Sequence, residues 1–213
     1  MTNIIITHVE ARVLSSLIEK DATTPEYYPL SLNSLTNACN QKSNRDPIMD
    51  IDEESVVLAL DRLRQRQLVY ETHMAGNRVP KYGHRVREAF DFSPQQIAVM
   101  CVLLLRGTQT LGEIRARTER LCSFKDLAEV EATLTQLMER ENGPFVVKLP
   151  RRFGYKECRY AHLFCGDIEV DEGRPVEPVI ISVRAGDERI TTLESKVETL
   201  SAELDELKKK LGV

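Results

Sequence analysis

The sequence predicts a mainly helical fold with small β-hairpins (α+β), built from two tandem domains of one kind and a C-terminal coiled-coil helix. Three observations predict this architecture. A series of short segments occurs twice in the same order, each series has the pattern of three helices and a hairpin, and the last residues carry apolar side chains at heptad spacing. With 213 residues, the chain has room for two small domains.

The repeat is clearest in two tetrapeptides, KYGH at 81–84 and RYAH at 159–162. Three further pairs of segments match in the same order: 11–19 with 97–105, 31–35 with 110–114, and 52–63 with 126–137. The offset changes from one pair to the next, so the gaps fall between the matched segments. Loops of different length on two copies of one fold produce this pattern.

In the first copy, apolar residues at helical spacing predict a helix over 8–20. Ser31 and Asp52 are suitable N-caps for a short second helix and a third helix. Two strand-like runs follow at 68–74 and 78–86, separated by the turn residues Ala-Gly-Asn.

The second copy repeats this order. Its predicted elements are helices near 94–105, 110–120 and 126–140 and strands near 144–150 and 156–164. Three helices and a hairpin in about 80 residues are the order of a winged-helix domain. We therefore expect winged-helix domains at 1–90 and 91–165, each with its tetrapeptide on the last strand of the wing.

The stretch TTPEYYPLSLNSLTNACNQKSNRDP at 23–47, together with LLLRGTQTLGEIR at 103–115 and KYGH, resembles the bacterial YceH family. The resemblance extends from about residue 8 to 165. It implies a tandem winged-helix fold and a cytoplasmic bacterial protein. It implies no activity and no site residues, because that family has been described chiefly as uncharacterised.

The tail divides into a linker at 166–186, which contains glycine and proline without helical spacing, and a coiled-coil helix at 187–213. β-Branched residues at two a positions and leucine at every d position favour a parallel homodimer. The alternative is one amphipathic helix that folds back on its own domains. The seven a and d residues are Ile190, Leu193, Val197, Leu200, Leu204, Leu207 and Leu211.

Composition narrows the classes of function. The net charge is −4, and the excess of acidic residues lies in the tail, so no strongly basic domain points to nucleic acid. No apolar run is long enough for a bilayer, no secretory signal is visible, and the five cysteines lack CxxC spacing, so a cytoplasmic protein is expected. Nucleotide-binding, zinc-protease and hydrolase motifs are missing from the sequence, which favours a protein without enzymatic activity or cofactor. Cys158, His162 and Cys165 are a weak metal candidate, since strand alternation separates them.

Two classes of function stay open: a dimeric DNA-binding regulator, and an adaptor that binds another protein. Acidic residues at the start of both predicted third helices, such as Glu53 and Glu129, count against base recognition there. Basic residues in the turn before the third helix, at its far end and on the wings favour phosphate contacts. The candidates are Lys42, Arg45, Arg62, Arg66, Arg78, Lys81, Arg85, Arg151, Arg152, Lys156 and Arg159.

The wing motif has two interpretations. Because strand side chains alternate, Tyr82 and His84 share one side of the first wing, as do Tyr160 and His162 on the second. These pairs either form a binding face with the neighbouring basic residue or pack on the helices beneath. Packing is the commoner role for tyrosine and histidine. If the wings do touch DNA, replacing Lys81 and Arg159 together should weaken binding on all sequences alike.

Overall fold

A computed structural model describes residues 4–73, 79–151 and 157–166 in full and the backbone of 180–183. Within these residues the chain has a mixed α and β fold, in which helices pack with small sheets. No helix in this part is both long and apolar enough to cross a bilayer. The predicted coiled-coil helix, and with it Ile190 to Leu211, lies outside the described residues.

The first half contains the elements predicted for it and several more. In chain order they are α1 (His8–Thr23), a 3₁₀ turn (Pro25–Tyr27), β1 (Leu30–Ser31), α2 (Leu32–Cys39), β2 (Ile48–Ile51), α3 (Glu53–Gln65), β3 (Val69–Thr72), β4 (Lys81–His84) and α4 (Val86–Phe90). The predicted caps are confirmed, since the side chains of Ser31 and Asp52 accept hydrogen bonds from the N–H groups of Ser34 and Ser55.

The second half repeats the order of the first. Its elements are α5 (Pro94–Arg106), β5 (Gln109–Thr110), α6 (Leu111–Thr118), α7 (Leu127–Met138), β6 (Val146–Leu149) and β7 (Arg159–His162). Each half has an antiparallel sheet with the same strand arrangement, β1-β4-β3 and β5-β7-β6. The two tetrapeptides are the strands β4 and β7, each at the centre of its sheet.

One hydrophobic core runs through both halves, and α1 packs on α5 across it. Val13 and Leu17 of α1 and their repeat partners Val99 and Leu103 of α5 are fully buried. The thiol of Cys101 donates a hydrogen bond from α5 to the Ser15 carbonyl oxygen of α1, at 3.5 Å. Because equivalent helices meet at the centre of the molecule, equivalent surface positions lie near one another around this contact.

The segment predicted as a linker departs from that expectation. Within 166–186, residues Ile180–Val183 form β8, which pairs in parallel with β2, Ile180 lying opposite Ile48. Neither strand was predicted, and the helix α4 was also missed. An apolar run of four residues has too little periodicity to distinguish a strand from irregular chain, and its partner lies far away in sequence.

Candidate functional site

The loop at 40–47 has no counterpart in the second half. The buried guanidinium of Arg45 anchors this loop to the rest of the first half. Arg45 donates a hydrogen bond of 2.6 Å to the Glu19 carboxylate and bonds of 2.8 and 3.2 Å to the Ala38 carbonyl oxygen. It also donates to Gln41 Oε1 and to the Asn44 carbonyl oxygen. These bonds tie the loop to the ends of α1 and α2.

A second buried arginine fixes both ends of the same loop. Arg12 of α1 donates to the carbonyl oxygens of Cys39, at 3.1 Å, and Pro47, at 2.6 Å. Burial, and then the positive charge of Arg45, lower the pKa of Arg12 to about 10. Two guanidinium groups within one small region therefore shape the path of the loop.

Two hydrogen bonds join the loop at 40–47 to the second half. The backbone N–H of Asp46 donates to the Leu105 carbonyl oxygen at the end of α5, at 2.9 Å. Arg106 donates to the side-chain oxygen of Asn44, which has a left-handed backbone with a φ of 60°. Asparagine tolerates this conformation better than most residues. The loop thus bridges the two halves at the C-terminal end of α5.

Beside this bridge lies a cleft of about 690 Å³, bordered by the end of α1, the loop, the end of α5, and α6. Five cations from both halves line it, and together they define what we call the cationic cleft: Lys20, Lys42, Arg106, Arg117 and Arg120. Glu19 is the only carboxylate among the lining residues that the structure describes, and it already pairs with Arg45. The cleft therefore has a clear excess of positive charge.

The cations of the cleft are incompletely neutralised. Burial, and then the charge of Arg117, lower the pKa of Arg106. Arg117 is 3.4 Å from Glu113, whereas Lys42 and Arg120 form no hydrogen bond or ion pair with any residue that the structure describes. A bound anion would lower the repulsion among these groups, so the arrangement suits phosphate or carboxylate ligands.

The repeat explains why these residues converge. Lys20 and Arg106 occupy equivalent positions at the ends of the equivalent helices α1 and α5. Lys42 and Arg120 each follow the second helix of their half. Packing α1 on α5 brings both ends together. Sequence reasoning missed Lys20 and Arg106, although the match between 11–19 and 97–105 continues to them.

Three of the predicted phosphate contacts, all in the first half, have carboxylate partners in that half. Arg45 is buried, so it is not a surface group, and we leave it out of the candidate interface. Arg66 and Arg62 lie 3.0 and 3.9 Å from the buried carboxylate of Glu10, away from the cleft. Lys42 is the one predicted candidate that lines the cationic cleft, within the part of the chain that the structure describes.

The remaining candidates lie on the sheets or outside the described residues. Lys81 is half-buried on β4, and the guanidinium of Arg85 lies 5.5 Å from the ring centroid of Tyr70. Arg159 on β7 is 3.5 Å from Glu113, while Arg151 is exposed. Those outside the described residues are Arg78, Arg152 and Lys156.

The tyrosines and histidines of the wing motif face inward. Tyr160 is 1% exposed, and His162 is half-buried, with a buried Nδ1 atom that has no hydrogen-bond partner among the described residues. His84 accepts a hydrogen bond from the Val86 N–H at Nδ1, and Tyr82 packs against the core. Tyr82, Tyr160 and His162 therefore agree with packing, whereas His84 borders a pocket of the first half.

The exposed faces of α3 and α7 differ from a cationic surface. Glu53 and Glu54 are exposed at the start of α3. The exposed residues of α7 include Leu127, Ala128 and Ala132, and the helix contains no lysine or arginine. Phosphate contacts are therefore disfavoured at the start of α3 and on α7.

Comparisons with known proteins identify relatives over almost the whole chain. A family profile described as "Protein of unknown function, DUF480" matches residues 6–155. A UPF0502 protein of Pelobacter propionicus is 51% identical over 208 residues, covering 96% of this chain and 94% of that one. One from Vibrio parahaemolyticus is 49% identical over 207 residues, covering 95% and 94%. One from Geobacter sulfurreducens is 51% identical over 200 residues, covering 92% and 90%.

Proposed function

Because this chain belongs to the DUF480 family, and the names of its relatives state no activity, we propose a function from its surface chemistry. The protein is a non-enzymatic DNA-binding protein that holds the phosphate backbone of duplex DNA in the cationic cleft. The observation that carries this proposal is the convergence of five cations from both halves on one cleft. Phosphate contacts of this kind supply most of the affinity of non-specific DNA binding.

The order of elements supports an interpretation as two tandem winged-helix domains. In each half a helix, a short strand, two helices and two strands follow one another, with the 3₁₀ turn, β2 and α4 as additions in the first half, and the short strand pairs with the last strand that both halves share. In helix-turn-helix proteins the helix before the recognition helix crosses the DNA backbone. The cleft includes the residues that follow α2 and α6, which are the equivalent helices here.

We propose that this protein binds DNA mainly through its backbone. Carboxylates at the start of α3, and a face of α7 that has the exposed Glu131 and no cation, are unsuited to a phosphate-lined groove. Binding should therefore depend steeply on salt and only weakly on base sequence. Selection of fragmented genomic DNA by the purified protein, across a salt series, measures both properties. No retention at low salt would end the DNA proposal.

The double variant Arg117→Ala/Arg120→Ala is the sharpest test of the cleft. Losing two phosphate contacts should reduce the slope of log K against log salt by about 2, and the affinity at low salt by about tenfold or more. Fluorescence anisotropy with a labelled duplex, repeated at several salt concentrations, gives both values.

The matched control is Arg64→Ala/Arg87→Ala, which removes the same charge from exposed positions outside the cleft. Equal losses in the two double variants would mean that net charge, rather than the cleft, determines binding. Lys81→Ala/Arg159→Ala tests the wings in the same assay. We expect a smaller loss than in the cleft variant, because neither Lys81 nor Arg159 lines the cleft.

A protein adaptor is the second candidate, and the exposed face of α7 favours it. Leu127 is 45% exposed and lies on α7 with the exposed Ala128 and Ala132, and the exposed Glu131 lies among them, so this small surface has apolar groups and no cation. Binding to a protein partner should survive salt that abolishes DNA retention. Ala132→Glu should then disrupt the partner complex and leave DNA binding unchanged.

We also propose that the C-terminal heptads form a homodimer, which would double the cationic surface presented to DNA. Light scattering coupled to gel filtration, at tens of micromolar protein, should give the mass of a dimer. Leu200→Asp/Leu207→Asp should give a monomer, because two charges at d positions disrupt the apolar seam. A monomeric mass for the unmodified chain would rule out this dimer.

A further inference from the structure

A second pocket, of about 410 Å³, lies between the C-terminal half of α1, the first sheet, α4 and the start of α5. Its walls differ in chemistry from the cationic cleft. Six aromatic or ionisable side chains define what we call the tyrosine pocket: Asp21, Tyr28, Tyr70, His84, Arg87 and Glu88. Two carboxylates and one guanidinium give these walls a net negative charge when the histidine is neutral.

The aromatic walls are positioned by β4. The backbone N–H of His84 donates a 2.6 Å hydrogen bond to the hydroxyl oxygen of Tyr28, and the two rings are 6.1 Å apart. Tyr70 lies directly on Gly83, where an added Cβ would come within 2.4 Å of the tyrosine ring. The glycine of KYGH therefore has a packing role: its missing side chain leaves room for the ring of Tyr70.

The ionisable groups are also held in place. His84 Nε2 lies 3.3 Å from Asp21 Oδ2, and His84 Nδ1 accepts a hydrogen bond from Val86. Since Nδ1 accepts, the neutral ring carries its proton on Nε2 and directs it toward Asp21. Asp21 and Glu88 both contribute, after burial, to raising the pKa of Tyr28 and Tyr70. Both carboxylates thus lie close to the two tyrosines.

We propose that the tyrosine pocket binds a small organic ammonium ion with an apolar body. Tyrosine ring faces attract cations, and two carboxylates at the same site strengthen that attraction. The guanidinium of Arg85, which lies outside the lining, is 5.5 Å from the ring centroid of Tyr70, so this ring already contacts one cation of the protein. The floor contains Ile18, Ile97 and Leu121, which suit an alkyl chain. This inference is independent of DNA binding, since none of the six side chains that define the tyrosine pocket lines the cationic cleft.

The test compares three probes of equal length with the full-length protein: n-hexylammonium, hexanol and hexanoate. The chain contains no tryptophan, so its emission comes from its six tyrosines, two of which line the pocket. We expect saturable binding of hexylammonium, at least about fivefold weaker binding of hexanol, and none of hexanoate. Equal binding of hexylammonium and hexanol would overturn the proposal, because apolar contact would then explain the affinity.

The matched variants are Asp21→Asn/Glu88→Gln in the pocket and Glu26→Gln/Glu53→Gln at exposed positions outside it. The pocket variant should lose the preference for hexylammonium over hexanol, while the control variant keeps it. If Asp21→Asn unfolds the chain, Glu88→Gln alone should reduce that preference. Unchanged selectivity in the pocket variant would also overturn the proposal, whatever the result of the DNA assays.

Discussion

Arg45→Met is expected to lower the free energy of unfolding by about 3 to 5 kcal/mol, the largest loss that we expect from one substitution in the described residues. The side chain of Arg45 is fully buried, and its removal leaves the Glu19 carboxylate and the Ala38 carbonyl oxygen without their donor. Unsatisfied buried groups cost more than the net value of the bonds they lose. Urea unfolding followed by circular dichroism measures the change.

Two further variants separate the effect of burial from the effect of charge on the free energy of unfolding. Arg64→Met removes an exposed arginine that is 2.8 Å from Glu71, and exposed ion pairs contribute about 1 kcal/mol or less. Arg45→Met/Glu19→Met removes both partners of the buried pair and should recover part of the loss. If Arg45→Met is no more costly than Arg64→Met, the guanidinium does not support the loop.

Arg45 also shows where sequence reasoning was limited. A cation in a polar turn before a third helix has the pattern of a phosphate contact, and Lys42 in the same turn is indeed exposed at the cleft. Residue type does not reveal burial, because a paired arginine can be buried where a lysine rarely is. The difference depends on Glu19, which is distant in sequence and adjacent only in the fold.

The helices and hairpins could be predicted, because their signals are local. Apolar spacing and the caps Ser31 and Asp52 identified the helices of the first half, and the repeat transferred them to the second. The pairing of β2 with β8 could not be predicted, since Ile48 and Ile180 meet only through the path of the whole chain. The cationic cleft could be predicted only in part. The repeat places Lys20 and Arg106 at equivalent positions, but their proximity depends on the packing of α1 against α5.

The burial of His162 predicts a loss of stability in mild acid. Burial, and then the nearby charge of His8, lower the pKa of His162 to about 4, from an ordinary value of 6.5. Between these two pH values the unfolded chain binds a proton that the folded chain does not. The contribution of His162 to the free energy of unfolding is therefore fully present above pH 6.5. It is lost as the pH decreases to about 4, where the folded state also binds the proton.

At pH 5 this one histidine should lower the free energy of unfolding by about 2 kcal/mol relative to neutral pH. His162→Leu removes the titrating group and keeps an apolar side chain in its place, so its stability should depend less on pH by that amount. His73→Leu, at a histidine whose side chain is 68% exposed, is the matched control and should follow the unmodified protein. Urea unfolding at several pH values between 7.5 and 5 supplies the comparison. Parallel curves for the unmodified protein and His162→Leu would show that His162 binds its proton equally well in the folded state. The RYAH histidine would then have access to water, and the wing would be open at the position where the structure closes it.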